Sequence, residues 1–127
     1  MVLDEKTYVD KAEKVIIRLS ENKDKRGNTR WITTSKIRNL LAMTADIYNE
    51  VLVSEEDLSD DIVSRIDYLR IRFVYESGRD KDVKNFVETA DIIQALKEIQ
   101  ASRKNYIIFS HYMEALVAYH KFYGGKE

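Results

Sequence analysis

The chain has 127 residues, enough to bury one hydrophobic core and too few for two ordinary ones, so one helical domain over residues 1–127 is expected. Its 21 Lys and Arg nearly cancel 22 Asp and Glu, so any attraction to a polyanion has to come from local patches rather than overall charge. The lack of Cys excludes disulfides and thiolate chemistry; the acidic start MVLDEKTYVDK and the lack of an apolar run of about 18 residues argue against export and membrane insertion, so a cytoplasmic protein is expected.

Pro is absent and Gly occurs only at 27, 78, 124 and 125, which leaves room for long helices. Tyr8, Ala12, Val15, Ile16 and Leu19 follow the helical period, and the polar run over residues 21–30 that comes next reads as an exposed loop. Thr33 is the expected N-cap of a second helix, with Ile32 and Ile37 as a hydrophobic staple and a stripe of Ile37, Leu40, Leu41, Thr44, Tyr48 and Val51. Ser54 and Asp57 resemble a capping box for a third helix, whose stripe is Leu58, Ile62, Ile66, Leu69 and Phe73 and which Gly78 stops or kinks. Asp80 caps a fourth carrying Val83, Phe86, Val87, Ala90, Ile93, Leu96 and Ile99. A fifth runs from about Lys104 to Tyr123 and is apolar around much of its circumference, with Gly124 and Gly125 as its stop. No strand-like alternation competes, so the expected fold is all-α, a compact bundle of about five helices.

The residues offer little for catalysis. His111 and His120 are nine positions apart, on opposite faces of a helix at about 100° per residue, and so cannot share a metal. His111 and Glu114 lie on one face but lack matching Glu-x-x-His units on other helices, and Asp57, Asp60 and Asp61 suit a helix dipole without a cation. There is no nucleophile elbow, P-loop or dinucleotide fingerprint, so neither an enzyme nor a cofactor is expected.

One stretch is different. In RIDYLRIRFVYESGR, residues 65–79, spacings of three and four place Arg65, Tyr68, Arg72, Tyr75 and Arg79 on one flank, spanning about 21 Å at 1.5 Å per residue. Guanidinium groups in such a ladder can pair with successive phosphates while tyrosine rings stack on bases. The competing account has the tyrosines packed on a neighbouring helix and the arginines reaching past them to water. A second basic group, Arg30, Lys36 and Arg38 around Thr33, Thr34 and Ser35, sits where free backbone N–H groups at a helix start favour an anion, with ordinary capping as the competing account. Lys23, Lys25 and Arg26 of the preceding loop add positive charge, although mixed-charge loops are usually just solvated.

The segments TRWITTSKIRNLL, LRIRFVYESGRD and HYMEALVAYHKFYGGKE together resemble the small subunit of the type III-A CRISPR effector, the Csm complex, over nearly the whole chain. The resemblance implies a helical bundle without nuclease activity that stacks in several copies beside the subunits gripping the guide RNA, along the channel where target RNA pairs with it. The implied partners are guide RNA, target RNA, other Csm subunits and further copies of the same chain, with no membrane. Ser35, Lys36 and Arg38 in TTSKIR, and Arg79 in ESGR, become candidates for the RNA backbone, joined by Arg65 and Arg72 from their spacing. Near-neutral charge departs from a free RNA-binding protein and implies weak binding by one copy, reinforced by repetition. The alternative is a self-associating helical adaptor that binds only proteins and uses Arg65, Arg72 and Arg79 in salt bridges.

Overall fold

The computed structural model describes residues 1–126, which form six helices: α1 (Tyr8–Ser20), α2 (Thr34–Leu52), α3 (Asp60–Arg79), α4 (Lys81–Thr89), α5 (Ile92–Ile99) and α6 (Arg103–Phe122). The all-α expectation is met. α6 is the central helix, packed on α2, α1 and α5, while α3 lies against α2, α4 and α5. Its apolar circumference is therefore used inside the bundle: Tyr106, Phe109, Tyr112, Met113 and Leu116 are fully buried.

Local signals set most of the boundaries. The Thr33 hydroxyl accepts the Lys36 N–H at 3.3 Å, and Ile32 and Ile37 are both fully buried, as the staple requires. Asp80 caps α4 by accepting the N–H groups of Asp82 and Val83 at 2.9 and 3.2 Å. α6 ends in a Schellman motif: Gly124, with φ 103°, donates to the Lys121 carbonyl and Gly125 to that of His120 at 2.8 Å.

Four expectations are corrected. Ser54 does not open α3, because its hydroxyl donates back to the Glu50 carbonyl at 2.6 Å and ends α2; Ser59 supplies the cap, accepting the Ile62 N–H. Leu58 is buried from the connecting segment, which its N–H pins to the Ala101 carbonyl at 2.8 Å. Gly78 lies within α3, which runs on to Arg79 and stops at Asp80, where the backbone turns extended to cap the next helix. The expected fourth helix is two helices, broken at Asp91 in the left-handed region (φ 56°). The Tyr112 hydroxyl donates to the Ala90 carbonyl at 2.9 Å, taking up an acceptor at the break from across the core.

Candidate RNA interface

The fold joins the two basic groups. α2 and α3 pack side by side, and the groove between them is lined by Lys36, Asn39 and Met43 from α2 and by Arg65, Tyr68, Arg72, Glu76 and Arg79 from α3. It has two compartments of about 160 and 500 Å³, and Met43 and Arg72 line both. Helical spacing alone put the arginines on one flank; the packing of α2 turns that flank into a wall.

The groove is largely neutralised from within. Arg65 pairs with Glu50, Lys36 with Asp80, and Arg79 with Glu76 at 3.6 Å. Of the four groove cations, Arg72 alone has no ion-pair partner among the described residues, which makes it the one most available to a ligand. The Lys36 ammonium beside Asp80 holds that carboxyl below the ordinary carboxylate range. Exposed ion pairs contribute only about 0–1 kcal/mol, so exchanging them for phosphate contacts costs little.

The tyrosines face water. Tyr68 and Tyr75 are 59% and 61% exposed, so they do not pack on a neighbouring helix as the competing account required. The Arg79 guanidinium lies 5.8 Å from the centre of the Tyr75 ring, holding an aromatic face and a cation together at the end of α3. Ile71 and Val74, 60% and 54% exposed, extend this outer face as an apolar stripe that periodicity within the core face did not disclose.

The start of α2 is capped. The Thr33 hydroxyl occupies one free N–H, and the Lys126 carbonyl accepts that of Thr34 at 3.0 Å, so the C-terminal segment and the cap together seal much of the anion site. Ser35 is exposed beside it. Arg38 is exposed two positions beyond Lys36, about 200° around α2, and does not line the groove. Arg30 is exposed on the other side of α4's first turn, 3.6 Å from Asp82. Arg65, Arg72, Arg79 and Lys36 thus share one groove; Arg30, Ser35 and Arg38 lie outside it.

Other titratable groups are bound into the packing. His120 is fully buried, with Nε2 2.8 Å from the Ile32 carbonyl and its ring 4.5 Å from that of Trp31, and burial pushes its pKa down. His111 Nε2 is 3.1 Å from the Tyr48 hydroxyl. Among the described residues no three His, Cys, Asp or Glu side chains are placed to hold a metal, and no helix is long and apolar enough to cross a membrane.

The chain is similar to the CRISPR system Cms protein Csm2 of Streptococcus thermophilus, 46% identical over 99% of this chain and 98% of that protein. The protein of the same name from Mycobacterium tuberculosis (strain H37Rv) is 40% identical over 94% of each chain, and that from Enterococcus italicus 36% identical over 88% of this chain and 86% of the relative. The family model described as Csm2 Type III-A matches residues 10–126. The resemblance read in the three sequence segments is therefore a relationship: this chain belongs to the Csm2 family of type III-A CRISPR systems.

Proposed function

We propose that the protein is a non-catalytic structural subunit of the type III-A Csm complex, working in the cytoplasm, that lies in several copies along the paired guide and target RNA and steadies it through backbone contacts. The observation that carries this reading is the groove, in which Lys36, Arg65, Arg72 and Arg79 line the contact between two helices next to the exposed rings of Tyr68 and Tyr75. Contacts of that kind recognise phosphate spacing and leave sequence to base pairing. The structural engagement of His111, His120 and Asp80 supports a role without catalysis.

A second reading, a protein-only adaptor, draws on the stripe of Ile71 and Val74, whose exposure suits burial against another subunit or copy. The two are separated by recovering the tagged protein from its own cells at near-physiological salt, with mass spectrometry of the proteins and sequencing of the RNA. Spacer-containing guide RNA recovered with other Csm subunits supports the subunit reading. Protein partners without RNA sink it and leave the adaptor.

A further inference from the structure

We propose a second site for RNA phosphates, distinct from the groove, in the recess between the end of α1, the segment 21–30 and the start of α4. This rests on the RNA-binding reading above and extends it to a surface that reading does not use. The recess is open and of about 1030 Å³, and six cations line it: Arg18, Lys23, Lys25, Arg26, Arg30 and Lys81. Only three acids share it, Glu21, Asp24 and Asp82, and two of those are engaged, Asp82 by Arg30 and Asp24 by backbone N–H groups. The α2–α3 groove has one unpaired arginine; the recess carries a local excess of positive charge that the near-zero net charge of the chain conceals.

The segment presenting four of these cations, Lys23, Lys25, Arg26 and Arg30, is not a slack loop. It closes as a tight antiparallel turn: Asp24 N–H donates to the Asn28 carbonyl and Arg30 N–H to that of Asn22, both at 2.8 Å, and the Asn22 amide donates back to the Arg30 carbonyl at 2.9 Å. The Asp24 carboxylate accepts the N–H groups of Arg26 and Asn28 at 2.8 and 3.0 Å, and Gly27 supplies the left-handed residue, φ 84°. The backbone carrying the cations is therefore organised before any ligand arrives, which lowers the entropy cost of binding.

The first turn of α4 joins the recess to the groove. Asp80 holds Lys36, at the end of the groove, and Asp82, two residues on, holds Arg30 at the rim of the recess. Lys81, between those two acids in sequence, lines the recess. An RNA strand leaving the groove at Arg79 thus meets Lys36 and then, across the first turn of α4, Lys81 and Arg30 at the recess, with Lys36 and Arg30 exchanging Asp80 and Asp82 for phosphate, whereas a strand confined to the groove uses the ladder alone. Phosphate is the ligand class because guanidinium and ammonium groups outnumber the acids six to three, the amides of Asn22 and Asn85 stand among them, and the lining offers no aromatic platform for a base.

The test uses the full chain at low salt, an unstructured RNA of about 12 nucleotides, long enough to reach beyond the ladder, and backbone NMR alongside fluorescence anisotropy. Three proteins are compared: the wild type, the triple variant Lys25→Ala, Arg26→Ala, Lys81→Ala, and the triple variant Arg65→Ala, Arg72→Ala, Arg79→Ala. The recess substitutions are at exposed side chains with no ion-pair partner among the described residues, so helicity by circular dichroism should be unchanged. The proposal expects RNA to shift the amides of residues 23–30, 81 and 85 in the wild type, and the recess variant to lose about tenfold or more in affinity, its salt slope shallower by about 2. Wild-type affinity in the recess variant, with binding lost in the ladder variant, overturns the second site and leaves the groove intact. If the wild type shows no RNA binding at all, the RNA reading itself fails and the second site goes with it.

Discussion

Lys36 of α2 is ion-paired to Asp80, the residue that ends α3 and caps α4. One carboxylate therefore does two jobs: it satisfies two backbone N–H groups at the start of α4 and restrains a cation at the end of the groove. Asp80→Asn keeps a capping oxygen but removes the charge, so the cap survives and Lys36 is released. RNA affinity at low salt should rise, with a salt slope steeper by about 0.7, and thermal stability should change by no more than a few degrees. Anisotropy titrations at several salt concentrations check this; reduced affinity would mean that the Lys36–Asp80 pair itself shapes the groove.

Within the ladder the arginines should not be equivalent. Arg65 and Arg79 bind Glu50 and Glu76, whereas Arg72 has no ion-pair partner among the described residues and lines both compartments of the groove. Arg72→Ala should therefore lower RNA affinity more than Arg65→Ala, and both should keep their helicity because both side chains are exposed. Equal losses from the two substitutions would show that the internal ion pairs are already open in solution.

Acid should destabilise the fold through His120. Burial lowers its folded pKa below the ordinary imidazole value of 6.5, so the unfolded chain binds the proton more readily than the folded one. Stability is then greatest above pH 6.5 and falls as the pH drops below it towards the folded value. Urea denaturation between pH 7.5 and pH 5 should show the decline, and imidazole signals by NMR should report that His120 titrates below the ordinary imidazole value in the folded state. A folded-state His120 that titrates at or above the ordinary imidazole value would contradict the account.

The close approach of the C-terminal segment to the same ring gives an independent check. A Cβ at Gly125 would collide with Cε1 and Nδ1 of the His120 ring, so Gly125→Ala has to move either the ring or the segment. The expected cost is about 1–3 kcal/mol, the range for forcing a methyl group into a packed site. Because Lys126 accepts the Thr34 N–H, amide exchange at Thr34 should accelerate even if the core stays folded. Wild-type stability and exchange would mean that this contact is already loose.

What could be read from the sequence followed from how local each determinant is. Thr33, Asp80, Gly124 and Gly125 act through hydrogen bonds within a few residues, and the ends they mark were legible. The break at Asp91 was not, because the Ala90 carbonyl finds the Tyr112 hydroxyl, a partner 22 residues away on α6. Ser54 shows the same limit from the other side: a capping-box pattern was present, but the hydroxyl turned back to Glu50 and Leu58 was held by pairing with Ala101. The arginine ladder was visible from spacing alone. Its closure into a groove by α2, the position of Arg38 outside it and the folding of the 21–30 turn into a basic recess depend on tertiary packing that no periodicity encodes.

The most direct measurement is the salt dependence of RNA binding by the intact chain, set beside that of the variant lacking Arg65, Arg72 and Arg79. If those three side chains neutralise three phosphates, the slope of log affinity against log salt should be steeper in the wild type by about 0.7 × 3, or roughly 2, with both proteins equally helical. Identical slopes and affinities for the two proteins would contradict the account, returning the ladder to the wet edge of a helix and the subunit to contacts with proteins alone.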